Sequence, residues 1–228
     1  MIEVTYIDHM GADLTVANAA RVSFGKVSEM EDDPWGPPKL KKKDDKLIRY
    51  LAKHKHISPF GHCFASFHIK APIFVARQLV KHKFLRWNEI SRRYVDEKPE
   101  FYVPDVWRGR SADKKQGSEG ALELGQLAEE VEVETGSAAE MYYALLEAGV
   151  APEQARMVLP QSTMTEWYWS GSLDAFADMC NLRCKPDTQA ETRQVAQQID
   201  RKMIELFPVS WDALTEKQNV GCTDGETG

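Results

Sequence analysis

Residues 77–94, RQLVKHKFLRWNEISRRY, gather guanidinium, ammonium, imidazole, amide, carboxylate and hydroxyl groups into one stretch. Arg77, Gln78, Lys81 and His82 share an arc at helical spacing, opposite a stripe of Ile73, Ala76, Leu79 and Val80, with Phe74 falling on the polar side. The period is then lost, and Asn88, Glu89, Ser91, Arg93 and Tyr94 follow. Guanidinium forks, imidazoles and amides that converge on a concave surface hold phosphates through charge-assisted, often bidentate hydrogen bonds. The density of such groups points to a phosphate or nucleotide site rather than to a solvated helix face.

The chain around this stretch is acidic. Its 228 residues carry a formal charge of -6 and a pI near 5.6, which argues against nucleic acid or an anionic membrane as a general partner. Any polyanion site must be local. There is no run of some 18 apolar residues, and MIEVTYIDHMGADL lacks the basic and apolar regions of a signal peptide, so a cytoplasmic location is expected. Cys63, Cys180, Cys184 and Cys222 form no CxxC pair and suit reduced thiols; Cys180 and Cys184 could share a helix face, but two ligands make a poor zinc site. No metal is expected from His9, His54, His56, His62, His68 and His82 either. HExxH, GxSxG, GxxxxGK[ST] and GxGxxG are all absent, which leaves zinc peptidase, α/β-hydrolase, P-loop and Rossmann chemistry without their signatures.

The elements that must position this chemistry are few. HCFASFHIK alternates as a half-buried strand with Cys63, Ala65, Phe67 and Ile69 on one face, Pro72 opens the next helix, and STMTEWYWSGS is aromatic and β-branched enough for a second strand. Helical spacing covers LTVANAARVSF, DDKLIRYLAKHKHISPFGH up to Ser58-Pro59, residues 121–148 with a break near Thr135-Gly136-Ser137, APEQARMVLP, SLDAFADMCNLR and TQAETRQVAQQIDRKMIELFP. GKVSEMEDDPWGPPKLKKKDD and GRSADKKQGSEG read as loops, the former mobile. This predicts an α+β class, a compact few-stranded sheet with long helices, with one domain over residues 1–215 and a polar, flexible tail over 216–228.

KHKFLRWNEIS, with seven residues between Lys83 and Ser91, resembles the RHR-x7-S signature of the flavin-dependent thymidylate synthases, and RRY follows as in that family. ANAARVSFG, LAKHKHISPFGH, FHIKAPIFVARQ, EFYVPDVW, QGSEG, ARMVLPQSTMTEWYWSGSL and NLRCKPDTQAE resemble the family's blocks in its order, over most of residues 12–210. The resemblance implies a ThyX-like fold and reductive methylation of dUMP to dTMP, with 5,10-methylenetetrahydrofolate as carbon donor, FAD as hydride carrier and NADPH as reductant, without a cysteine nucleophile. It also implies a homotetramer whose active sites lie at subunit interfaces.

By the same resemblance, Gln78, Lys81, Glu89, Ile90, Ser91, Arg92, Arg93, Arg156 and Arg183 would contact dUMP. FAD would be held by Ser58, Lys81, His82, Lys83, Glu89, Ser172 and Asp178, and His56 would stack on folate or flavin. Arg183 and Ser91 would be the catalytic pair: Arg183 to polarise the uracil ring, since a fixed cation stabilises charge developing beside it, and Ser91 to position the pyrimidine. The chain departs from the family at KHK for RHR, which keeps charge but loses bidentate geometry, and at Asp174, Asp178 and Asp187, where arginine-, asparagine- and histidine-like residues are expected. A relative that only binds nucleotide or flavin, or a nucleic-acid binder using residues 77–93, are the competing readings.

Overall fold

Alternation in residues 64–72 and 164–172 builds the two central strands of a four-stranded antiparallel sheet. The computed structural model describes residues 1–94, 98–112 and 117–215. Its strands are β1 (Glu3–Met10), β2 (Phe64–Pro72), β3 (Leu85–Glu89), β4 (Arg108–Arg110), β5 (Ser118–Ala121) and β6 (Met164–Ser172). The helices are α1 (Asp13–Arg21), α2 (Lys42–Lys53), α3 (Ile73–Leu79), α4 (Gln126–Glu147), α5 (Pro152–Ala155), α6 (Leu173–Arg183), α7 (Ala190–Leu206) and α8 (Pro208–Leu214). The main sheet runs β1-β2-β6-β3, and β4-β5 form a separate hairpin. The α+β class holds.

In β2, Ala65, Phe67 and Ile69 are buried while Ser66, His68 and Lys70 face the other way, as the alternation predicts. Phe67, Ile69, Trp167 and Trp169 pack with Phe176 of α6, Val195, Ile199 and Met203 of α7, and Trp211 of α8 in one buried cluster. Gly171 is where β3 comes closest: a Cβ there would stand 2.3 Å from Leu85 Cδ2 and 3.1 Å from the Phe84 carbonyl oxygen, so any larger residue would push β3 away.

Two buried carboxylates tie distant segments to this core. Asp13 accepts from the Val209 and Ser210 amides at 2.9 and 2.8 Å, capping the start of α8. Asp44 takes Arg21 Nε at 2.7 Å and the Ser28 hydroxyl at 2.5 Å, while Asn18 pairs with the Ser28 backbone in both directions. The loop read as mobile is thus pinned at Ser28, and a bridge between Glu31 and Lys39 closes it further along.

Several expectations need correction. Leu85–Glu89 is a strand, and the polar loop 109–120 contributes to both arms of the β4–β5 hairpin. Helix α4 runs unbroken through Thr135-Gly136-Ser137: Thr135 returns its hydroxyl to the Glu132 carbonyl at 2.9 Å, and Gly136 abuts nothing that would reward a bend. Phe74 packs against Tyr102 with ring centroids 6.0 Å apart, whereas Val80, just past the end of α3, is 48% exposed. The tail assigned to 216–228 lies outside the described residues. Among the described residues no helix is long and apolar enough to cross a membrane.

Candidate functional site

Three parts of the chain meet around a cleft of about 780 Å³: Gln78 and Lys81 from the end of α3, Arg108 and Ser118 from the hairpin, and the segment from Leu182 to Glu191 that joins α6 to α7. A strand that leads directly into a helix fixes the first part, since β2 ends at Pro72 and α3 begins at Ile73. Among the described residues Lys81, Arg183 and Lys185 form no ion pair, so the cleft holds surplus positive charge on an acidic chain.

Arg183, in the last turn of α6, donates from Nε to His82 Nε2 at 3.0 Å and from Nη2 to the Gln78 carbonyl at 3.4 Å. Because that ring nitrogen accepts, His82 carries its proton on Nδ1. Burial, with the guanidinium beside it, pushes the His82 imidazole down to about 4. Burial also lowers Arg183, yet a guanidinium stays charged throughout the physiological range. A cation held by a neutral imidazole keeps its field for a ligand.

The His82 shift is testable. An unfolded chain takes up this proton near pH 6.5 and the folded chain only near pH 4. Stability is therefore complete above pH 6.5 and falls as pH drops through that window. The His82 ring resonance should titrate near pH 4 by NMR, and His82→Gln should flatten the stability loss between 6.5 and 4; a midpoint at 6.5 would contradict a buried neutral ring.

A second chain of polar groups crosses the cleft wall. Gln78 Nε2 donates to Gln189 Oε1, Thr192 donates to Gln78 Oε1 at 3.2 Å, and Gln189 Nε2 reaches Glu191 Oε2 at 3.2 Å. Glu191, only 4% exposed, also pairs with Arg108 and accepts from the Tyr102 hydroxyl at 3.4 Å. Burial, the largest single influence, would raise the Glu191 carboxyl, but the hydrogen bonds from Arg108, a backbone amide and Gln189, with the Arg108 charge, together hold the group below its usual range. Arg108 Nε holds Ser118 at 2.8 Å, which fastens the hairpin over the cleft. The second N–H of the Gln78 amide is left for a ligand.

The remaining candidates lie outside the cleft lining. Glu89 closes β3, accepting from Thr165 at 2.7 Å and from the Trp87 indole at 3.1 Å, and Trp87 stacks on Trp167 at 4.4 Å. Ile90 continues the strand edge through its amide to the Glu166 carbonyl at 2.9 Å. Arg93 folds back on the Ser91 hydroxyl at 3.3 Å, and Arg92 bears electrostatically on Glu100. Arg156 is exposed on the turn after α5, its Nε on the Glu153 carbonyl at 3.3 Å.

A third group gathers where the 3₁₀ turn Ser58–His62 packs on α6. Ser58 and His56 are exposed there, with His56 at 6.2 Å from the Tyr50 ring, and Ser172 stands at the N-terminal boundary of α6 without a side-chain capping bond. Burial, then Asp174, raises the Asp178 carboxyl, which Lys55 partly offsets, and Asp174 Oδ1 is buried without a hydrogen-bond partner among the described residues. The structure thus unites Gln78, Lys81, His82 and Arg183, and distributes the rest over separate surfaces of one chain. Reading the sequence missed Arg108, Lys185, Gln189 and Glu191; the QGSEG and NLRCKPDTQAE stretches beside them were the available signal.

A family model described as thymidylate synthase complementing protein matches residues 5–209. A flavin-dependent thymidylate synthase of Thermus thermophilus is 43% identical over 216 residues, covering 93% of this chain and 75% of that protein. One from Thermosipho melanesiensis is 38% identical over 211 residues, covering 91% and 88%. The crystal structure of a UMP/dUMP methylase, PolB, from Streptomyces cacaoi bound with 5-Br dUMP superposes with a TM-score of 0.80 at 32% identity, covering 93% of this chain and 94% of that one. The same methylase bound with 5-Br UMP gives 0.79.

Proposed function

Since this chain belongs to the family of flavin-dependent thymidylate synthases, we propose that it methylates dUMP at C5 to give dTMP, taking the carbon from 5,10-methylenetetrahydrofolate and the reducing equivalents from NADPH through FAD. The observation that carries this reading is Arg183 held by neutral His82 at the rim of a cleft whose lysines form no ion pair among the described residues. Such a cation can take the negative charge that builds on the uracil carbonyls as C5 becomes nucleophilic. Lys81 and Lys185 suit the phosphate, and the spare N–H of Gln78 suits a pyrimidine or ribose oxygen.

The donor set fits a flavin. Lys81, Lys83 and the His82–Arg183 pair offer cations and a neutral ring to an anionic planar cofactor, and Ser58 and Ser172 offer hydroxyls from the α6 corner. FAD, when bound, supplies the hydride that brings the transferred carbon to the methyl level. Asp178, its carboxyl raised by burial and then by Asp174 and lowered by Lys55, stands at the same corner. Cys63 is poorly suited to attack on the pyrimidine: it is buried with its thiol pushed up to about 11, mainly by burial. His56 presents a ring for stacking.

The reading is of one catalytic unit, residues 1–215, acting as a cytoplasmic homotetramer. Support comes from the scatter of Glu89 to Arg93 and Arg156 away from the cleft: a neighbouring subunit can bring these groups to it. On α4, Leu127, Val133 and Met141 are exposed apolar residues suited to subunit contact.

Purified protein with added FAD, reduced anaerobically by NADPH with and without dUMP, tests the function. Bleaching of the flavin band and dTMP formation upon adding methylenetetrahydrofolate are expected, with UMP run beside dUMP because the solved relative is named for both. A protein that takes up no flavin and forms no dTMP would overturn the reading. Replacing both Lys81 and Lys83 by arginine restores planar forks and should tighten FAD binding roughly 10-fold, as bidentate pairing predicts; unchanged flavin fluorescence titration would mean the ammonium groups already suffice.

A further inference from the structure

Cys180 and Cys184 stand one turn apart at the C-terminal end of α6, and the proposed chemistry uses neither. Cys180 is 2% exposed with its Sγ 3.6 Å from the Ala196 carbonyl; Cys184 is half-buried at the rim of the core. The two thiols interact. The neighbouring Cys180 draws the Cys184 thiol below its ordinary range, and burial, reinforced by Cys184, drives Cys180 well above it, while the Cys180 S–H itself points to the Ala196 carbonyl.

Geometry and charge decide what can join them. Residues four apart on a helix hold their Cβ atoms about 5–6 Å apart, and a disulfide needs about 3.5–4.5 Å, so direct oxidation would have to break the last turn. Zinc wants four ligands, and among the described residues no cluster of three or more His, Cys, Asp or Glu side chains is poised for a metal. A soft monovalent cation would leave a net negative bis-thiolate, and the Asp200 carboxylate already opposes charge on both sulfurs. A neutral bridge meets none of these objections.

We propose that Cys180 and Cys184 form a dithiol site that captures a mono-organic trivalent arsenical. Two S–H bonds and the arsenic–oxide bond break, two As–S bonds form, and the oxide oxygen leaves with both protons as water. Arsenic stays trivalent and neither sulfur is oxidised. Cys184, the more accessible thiol, reacts first, and Cys180 closes the bridge. The site rests on the fold alone and stands whether or not the proposed activity does.

The reduced, full-length protein is treated with phenylarsine oxide, washed with excess 2-mercaptoethanol and read by intact-mass spectrometry. One phenylarsenic unit per chain is expected to survive the wash and to be removed by 2,3-dimercaptopropanol. It should be missing from Cys184→Ala and from Cys180→Ala, which keeps the buried position apolar, and present in Cys63→Ser and Cys222→Ser. A retained adduct in either of the first two variants, or none on folded wild type, overturns the proposal.

Discussion

Arg183→Ala is expected to lower kcat for dTMP formation by roughly 10²–10³, the loss seen when one preorganised charge or donor aimed at a developing anion is removed. The argument rests on the absence of competition. Arg183 gives one N–H to a ring that is neutral above pH 4 and one to a carbonyl, and among the described residues no carboxylate forms an ion pair with it, Asp187 and Glu191 of the same cleft included. Arg183→Lys keeps the charge but loses the fork that reaches His82, so an intermediate rate is expected. If kcat stays within twofold in the alanine variant, Arg183 serves only as a favourable cation at a helix C-terminus.

Glu191→Ala is expected to cost about 3 kcal/mol of stability and to raise KM for dUMP about tenfold, because removing one partner of a buried pair strands the other. Arg108 would lose its counter-charge, Tyr102 its acceptor, and Gln189 the group that sets its amide. Gln78 would then lose a fixed orientation, which is why the effect should fall on KM. Glu191→Gln keeps an acceptor and should recover part of the stability but less of the affinity. Denaturant midpoints and steady-state kinetics separate the two; an alanine variant with normal KM would show that Gln78 needs no such support.

Where side-chain pattern and backbone geometry agree, the fold was legible from the residues alone. The alternation of Cys63 to Ile69 and the aromatic run at Trp167 and Trp169 gave β2 and β6, and helical spacing gave α1, α2, α6 and α7. Leu85–Glu89 was opaque because a five-residue strand of mixed polarity hides its period, and because Leu85 and Trp87 earn their inward places from Gly171 and Trp167, which lie far along the chain. The hairpin was hidden for a related reason: Arg108 and Ser118 look like solvated loop residues until Glu191 supplies their purpose. Gln78, Lys81 and Arg183, expected at the nucleotide, and His82, expected at the flavin, stand together in the structure. The resemblance carried that identification; spacing could not have paired residue 82 with residue 183.

The pairing of β2 with β6 has a kinetic consequence. It joins residues 64–72 to 164–172, so the centre of the sheet closes a loop of roughly a hundred residues, a slow and entropically costly event. During synthesis β2 can find β1 early, yet Phe67 and Ile69 have no Trp167, Trp169 or Phe176 to pack against until the last third of the chain emerges. The nascent protein must therefore pass through a long interval with an open strand edge and uncovered aromatic surface. Its yield on expression should depend more on elongation rate and chaperone supply than on the final stability of the folded enzyme.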